Sequence, residues 1–319
     1  CRASNYIALI KNALVSAGYE NVPVISVAFG NDMSNQQPGF ELKWSKCLAI
    51  ALFALMFSDA LSKLYYPSLA RENQKGAANA LRTKYLNAAC ELVSKKDRKG
   101  LLKLLQEAVK DFTAITIKKD VPVIGVVGEI YIKYNSFGHK HVLQWLSEQG
   151  IEVVAPSMYN FFVNSFVNRH FNKKYNIKEI DSPLWISDTI YKLVRHYASK
   201  FDQIGQNYLY YRPFADIFHD AKLATQIINP AANFGEGWLI PAELAGFAQQ
   251  GINNAISLQP FGCIANHVIS KGIEKRVKKL YPKMNLLSLD FDAGTSEANI
   301  FNRLHFMVEN CKKQLNNEL

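Results

Sequence analysis

The chain has 319 residues, of which 49% are apolar, 20% are charged and 12% are aromatic, and its formal net charge is +10. This composition is typical of a folded globular protein and excludes a fibrous, low-complexity or intrinsically disordered chain. The length is sufficient for two domains of ordinary size.

Residues 1–40 are predicted to be the end of an α/β lobe. Apolar residues at helical spacing predict a helix over residues 2–18, and a β-branched run predicts a buried strand over residues 22–29. The first residue is Cys1 rather than Met, and a helix follows at once. We therefore interpret the sequence as a piece of a longer polypeptide.

Residues 41–117 are predicted to form a helical insertion. Helical patterns cover residues 44–64, 76–94 and 101–115. The most apolar run, residues 47–57, is too short to cross a bilayer and predicts a buried helix. No secretory signal is found, so neither a membrane nor export is expected.

Residues 118–319 are predicted to be a doubly wound α/β lobe with a mostly parallel, Rossmann- or flavodoxin-like sheet. Strand patterns occur at residues 121–130, 151–156, 255–259 and 285–290. Helical patterns occur at residues 138–150, 157–170, 183–204, 217–228, 240–250, 263–280 and 295–316. Ligands of such sheets bind beyond the carboxyl ends of the strands, which directs attention to residues 128–138, 156–160, 260–266 and 290–297.

Cys263 is the main candidate site residue. It follows Gly262 at the predicted start of a helix, where unpaired amides and the helix dipole favour the thiolate that binds metal or attacks an electrophile. Cys1 also stands at a predicted helix start, so we expect Cys1 and Cys263 to meet as ligands of one metal cluster. Cys47, Cys90 and Cys311 lie inside apolar helical patterns and are expected to pack as small hydrophobic side chains.

Three further residues are candidates for catalysis. Glu129 follows a strand and a glycine, and Glu236 lies between two glycines, which are poor positions for a merely structural carboxylate. His267 is four residues after Cys263 and therefore on the same helix face, where it is a ligand, a proton donor or a packing residue. Asn135, just beyond the first strand, is a candidate for cofactor binding.

The remaining patterns constrain the function only weakly. The sequence has no phosphate-binding loop, zincin, serine-hydrolase or dinucleotide fingerprint. The five scattered cysteines form no CxxC pair, which favours a reducing cytoplasm over a disulfide framework. Basic runs at residues 172–178 and 271–283 are typical of solvated helix faces, although they would also suit phosphates or an acidic partner. They lack interleaved aromatic residues, so nucleic acid is not the expected partner.

Five stretches together carry a resemblance to a known family. They are residues 1–6 (CRASNY), 127–135 (VGEIYIKYN), 233–238 (NFGEGW), 259–267 (QPFGCIANH) and 290–299 (DFDAGTSEAN). They resemble the C-terminal, 2-hydroxyacyl-CoA dehydratase-like part of the large fused activators of 2-hydroxyglutaryl-CoA dehydratase. In those proteins ATPase activase modules precede the dehydratase-like module.

The resemblance implies an iron–sulfur protein that works with an ATPase activase. Its α/β lobes are expected to hold a 4Fe–4S cluster by cysteines, of which Cys1 and Cys263 match the family pattern, while a further cysteine lies upstream. The partner ATPase would drive an electron into the cluster, which then reduces an acyl-CoA-type substrate. No ATPase motif is present in the sequence, and we expect this piece alone to lack the complete cluster.

Two other functions remain open on the sequence. The same fold could serve as a non-catalytic docking or regulatory module, which incomplete ligands and a helical insertion would suit. A thiol enzyme that uses Cys263 with His267 is the third interpretation.

Overall fold

The computed structural model of the chain describes residues 6–25, 44–180, 182–263, 266–292, 294 and 296–318. The chain divides into two units, Cys1–Ala49 and Ile50–Leu319. In the first unit, helix α1 spans Tyr6–Ser16 and buries none of its side chains. The strand predicted over residues 22–29 is not a strand as far as Ile25, and its remaining residues lie outside the described part of the chain.

The second unit is built on one parallel sheet. Its strands are β1 (Val123–Gly128), β2 (Glu152–Val154), β3 (Asn254–Pro260) and β4 (Asn285–Phe291). They pair in the order β2-β1-β3-β4, and all the pairs are parallel. The predicted α/β fold with a parallel sheet is therefore confirmed.

Many helices surround the sheet. They are α2 (Trp44–Leu69), α3 (Ala77–Ser94), α4 (Arg98–Ile115), α5 (Ile130–Tyr134), α6 (Val142–Glu148), α7 (Met158–Tyr175), α8 (Leu184–Gly205), α9 (Ile217–Ala224), α10 (Leu239–Gln249), a π-helix (His267–Lys271), α11 (Glu274–Leu280) and α12 (Glu297–Glu318). From Ile50 onwards, the helices predicted as an insertion belong to the same unit as the sheet.

The two faces of the sheet bury separate apolar clusters. On one face, α6 and α12 pack against side chains that include Ile124 and Ile256. On the other face, α10, the π-helix and α11 pack against side chains that include Val127 and Ala255. Because both faces are covered, the central strands are almost continuously apolar, which is why the sequence pattern found them.

Local capping shifts two predicted boundaries. The strand predicted as far as Ile130 ends at Gly128, because the Glu129 carboxylate caps α5 by accepting the amide of Ile132. Helix α6 begins at Val142 rather than at residue 138, because Lys140 and His141 have positive φ.

The region predicted as one helix over residues 263–280 is divided. Its described part consists of the π-helix and α11, with Gly272 directly after the π-helix. π-Helical turns are rare, and they are frequently found at functional sites.

Within the described residues, the part of α2 from Lys46 to Leu69 is long and apolar enough to cross a membrane. The core helix of a soluble protein has the same length and composition. In this structure Phe53, Phe57 and Leu61 of α2 are buried, and the ring of Phe53 lies 5.7 Å from that of Phe201 on α8.

Gly128→Ala should destabilise the second unit strongly. Gly128 has a φ of 130°, and an added Cβ would overlap the carbonyl oxygen of Leu258 on the neighbouring strand. We expect a loss of at least about 3 kcal/mol in the free energy of unfolding, measured by urea denaturation.

Gly246→Ala is the matched control, because Gly246 lies inside α10 and nothing is within 4 Å of its added Cβ. That substitution should leave stability unchanged or raise it by about 0.5–1 kcal/mol, since alanine favours a helix interior. Equal stability of the two variants would contradict the close approach of β1 and β3.

Candidate functional site

The carboxyl ends of β1 and β3 form the topological switch point of the sheet. The connection from β1 to β2 runs through α6 on one face, whereas that from β3 to β4 runs through α11 on the other. The loops after these adjacent strands therefore diverge and leave a crevice, the usual place for a ligand in such folds. We define the switch point as residues 128–130 and 260–263.

Glu129 is part of the switch point, and Glu236 contacts it. The amide of Ile130 donates to Oε1 of Glu236 at 2.9 Å, and the amide of Ile132 donates to Oε2 of Glu129 at 2.9 Å. Glu236 is 5% exposed. It reaches this position from more than a hundred residues further along the chain than Glu129. Burial raises the pKa of Glu129, the amide of Ile132 opposes this shift, and the charge of Glu236 raises the pKa further.

A buried ion pair lies behind the two glutamates. Nζ of Lys133 on α5 is 3.3 Å from Oε1 of Glu243 on α10, and both side chains are less than 5% exposed. Burial raises the pKa of Glu243 to about 7, against the attraction of Lys133, and the charges of Asp220 and Glu236 contribute in the same direction as burial. The pKa of Glu243 thus depends on the attraction of Lys133 and on the opposing negative charges of Asp220 and Glu236.

Cys263 lies at the start of the helical segment after β3. Its amide donates to the carbonyl of Pro260 at 3.2 Å, and its own carbonyl accepts the amide of His267 at 2.9 Å. Gly262 has a φ of 76°, a conformation that glycine adopts without strain, and this turns the chain away from β3. The Cys263 side chain is half-buried.

His267 has an acidic neighbour on the next strand. Its Nδ1 atom is 3.6 Å from Oδ1 of Asp290 at the end of β4, and Nζ of Lys271 is 2.7 Å from Oδ2 of the same aspartate. The other ring nitrogen, Nε2, has no hydrogen-bond partner among the described residues. His267 therefore has a carboxylate near one ring nitrogen, whereas its other ring nitrogen is buried.

Asn266, which the sequence did not single out, is a further polar group at this edge. It is fully buried, and neither polar atom of its side chain has a hydrogen-bond partner within the described ranges. Buried polar groups nearly always have partners, so the described residues leave the hydrogen bonds of this amide unaccounted for.

The remaining predicted residues have different surroundings. Oδ1 of Asn135 accepts the amide of Gly138 at 3.0 Å and so closes the turn after α5. Cys311 is buried as predicted at the amino end of β1, where Sγ donates to the carbonyl of Val123 at 3.4 Å and burial raises the pKa of the thiol to about 11. Cys90 is exposed, so the prediction that it packs in a core is wrong.

A complete 4Fe–4S site requires four cysteine ligands or their substitutes. Cys1 lies outside the described residues, so its predicted meeting with Cys263 does as well. At the switch point the described residues contribute one thiol, and nowhere among them do three or more His, Cys, Asp or Glu side chains form a metal site. The described part of the chain therefore does not fit a complete cluster.

A polar cavity of about 950 Å³ lies beyond the carboxyl end of β2, in the second unit. We call it the basic cavity, because its lining includes six lysine or arginine side chains and three carboxylates: Lys63, Lys75, Arg82, Lys119, Lys133, Arg212, Asp59, Glu72 and Glu148. The sequence patterns did not predict this cavity. The available signal was a pair of charged residues, Asp59 and Lys63, four positions apart in the most apolar helix.

The pKa values of Asp59 and Lys63 are both shifted from their ordinary values. The Asp59 carboxylate accepts the amides of Met158 and Tyr159 at 3.1 and 2.8 Å and so caps α7. Burial raises the pKa of Asp59 to about 6, against the Tyr159 amide and the charge of Lys63. Burial lowers the pKa of Lys63 to about 8, against the attraction of Asp59.

Glu236→Gln should lower the pKa of Glu129. The glutamine oxygen can still accept the amide of Ile130, but the negative charge that opposes ionisation of Glu129 is gone. The pKa is measured by ¹³C NMR of the side-chain carboxyl groups, with Glu129→Gln to assign the resonance. The control is Glu107→Gln on the exposed surface of α4, which should leave the titration of Glu129 unchanged. An unaltered pKa in the Glu236 variant would contradict the proximity of the two carboxyl groups.

Comparison with known proteins adds no identification. The sequence matches no protein-family model, no curated protein and no solved structure at a significant level. The assignment of a function therefore depends on the motifs in the sequence and on the side chains at the switch point and in the basic cavity.

Proposed function

We propose that the switch point is the working site of this chain and that the chain is the cluster-bearing module of an activase-coupled reductase or dehydratase. Its substrates would be of the acyl-CoA type, and its partner an ATPase activase module. The position of Cys263, at the switch point and at the start of a helical segment, is the observation that supports this proposal.

The surroundings of Cys263 suit a bound anion or an electron-rich group. The N-terminal end of a helix stabilises negative charge, including that of a thiolate and its metal-bound forms. The orphaned amide of the buried Asn266 provides a donor and an acceptor beside the same turn. Glu129, with its raised pKa, is suited to retain and donate a proton nearby.

The other cluster ligands must come from elsewhere in this proposal. Because the described residues provide a single thiol at the switch point, Cys1 and cysteines outside this sequence would complete the set. What the described residues supply is one ligand, buried polar groups and carboxyls for proton transfer.

Cys263→Ala should abolish iron binding by the full-length protein. After anaerobic reconstitution with ferrous iron and sulfide, iron and acid-labile sulfide are counted per chain, and reduction by the activase is followed by EPR. Cys1→Ala should have the same effect. Cys90→Ala is the matched control, since that cysteine is exposed on α3 away from the switch point, and it should keep the full iron content. Undiminished iron in the Cys263 variant would rule out the proposal.

A second candidate function is thiol chemistry at Cys263. His267 lies one helical turn after the cysteine, and Asp290 is 3.6 Å from its Nδ1 atom. A cysteine with a histidine one turn later on the same helical segment and a carboxylate near that histidine is similar to the arrangement that activates thiols as nucleophiles. In this interpretation His267 accepts the thiol proton at Nε2 while Asp290 holds the ring.

Alkylation kinetics test this second function within one molecule. If His267 activates the thiol, Cys263 should react with iodoacetamide at pH 7 at least about tenfold faster than the exposed Cys90, as measured by mass spectrometry of the peptides. His267→Gln should abolish the difference, whereas His219→Gln, on the exposed surface of α9, should preserve it. A Cys263 that reacts no faster than Cys90 in the parent protein would exclude thiol catalysis.

A further inference from the structure

The basic cavity has the size and position of a ligand site. Its volume of about 950 Å³ lies within the range of about 300–1,000 Å³ that small-molecule sites occupy. It opens beyond the carboxyl end of β2, the side of a parallel sheet on which ligands bind. It is lined by α2, by the segment from Glu72 to Arg82, and by residues 153–158.

The carboxylates of the cavity accept hydrogen bonds from groups other than its lysines and arginines. Both oxygens of Asp59 accept amides at the N-terminus of α7, and both oxygens of Glu72 accept the amides of Gly76 and Ala78 at 2.8 and 2.9 Å at the start of α3. The positive end of a helix dipole offsets negative charge in this position. Oε1 of Glu148 accepts the side-chain amide of Gln144. Among the described residues, none of these three carboxylates lies within ion-pair distance of a lysine or arginine of the cavity, and Asp59 attracts Lys63 only at longer range.

Two of the six cations have carboxylate partners outside the lining. Lys133 pairs with Glu243, and Arg212 pairs with the fully buried Glu152. The other four have no carboxylate within ion-pair distance among the described residues: Lys63, Lys75, Arg82 and Lys119. Lys63 instead lies 5.1 Å from the ring of Phe214, and Arg82 lies 5.1 Å from the ring of Tyr65.

Lysine and arginine side chains that have no ion-pair partner around a polar cavity favour the binding of a ligand with several negative charges. Lysine and arginine are the side chains that bind phosphate, the first as a point charge and the second as a fork of donors. Ser62 and Asn79 in the same lining offer neutral hydrogen bonds for the body of a ligand. We propose that the basic cavity binds a phosphorylated small molecule, with Lys63 inside the cavity and Lys75, Arg82 and Lys119 at its mouth.

Isothermal titration calorimetry with inorganic pyrophosphate tests this proposal, at an ionic strength held constant with sodium chloride. The parent protein should bind pyrophosphate with one site per chain. Lys63→Gln combined with Arg82→Gln should weaken binding at least about tenfold. Lys110→Gln combined with Lys192→Gln removes the same charge from exposed positions on α4 and α8, and should leave binding unchanged.

A second variant guards against misfolding of the first. Lys75 and Lys119 are exposed, so replacing both with glutamine should leave the thermal unfolding curve intact while it weakens pyrophosphate binding. No binding by the parent protein, or equal binding by the cavity and control variants, would overturn the proposal. Citrate bound as tightly as pyrophosphate would overturn the assignment to phosphate.

Binding in the basic cavity is tested separately from the function proposed for Cys263. Cys263→Ala should bind pyrophosphate like the parent protein, because Cys263 is not part of the cavity lining. Loss of iron with intact pyrophosphate binding, or the reverse, therefore separates the two proposals.

Discussion

The buried ion pair between Lys133 and Glu243 is the interaction on which both sites depend. It joins α5, which leaves the carboxyl end of β1, to α10, which covers one face of the sheet. Each charge is removed from water and compensated mainly by the other. Loss of one partner of such a pair typically costs about 3–5 kcal/mol, because the remaining charge stays buried. The position of Glu129 at the start of α5 is fixed through the same short helix.

This pair also connects the switch point to the basic cavity electrostatically. Lys133 lines the cavity, where its charge lowers the pKa of Asp59. Its partner Glu243 is affected by the charge of Glu236, which in turn raises the pKa of Glu129. In a low-dielectric interior such interactions are weakly screened. The charge of Lys133 therefore acts against the burial-raised pKa of one carboxyl group at each place, Asp59 in the cavity and Glu129 at the switch point.

The sequence predicted the existence of the strands more accurately than their first and last residues. Each of the four strands was found, because a strand buried on both faces is an apolar run bounded by turns. The predicted strand boundaries were less accurate. Glu129 caps α5 at a position where the sequence pattern predicted that β1 continues. Helix α6 begins later in the chain than predicted for a similar local reason, because the backbone of Lys140 and His141 is left-handed. Patterns of hydrophobicity do not report capping bonds or individual φ values.

By itself the sequence determined the α/β fold and the loops that meet at the carboxyl edge of the sheet, including those that carry Glu129 and Cys263. These follow from periodicity and from the geometry common to parallel sheets. Only the tertiary structure decided that Glu236 contacts the amide of Ile130, and that Lys63, Lys119 and Arg212 surround one cavity. The physical reason is that these side chains come from distant segments, and packing of helices on the sheet, rather than any local pattern, brings their charges together.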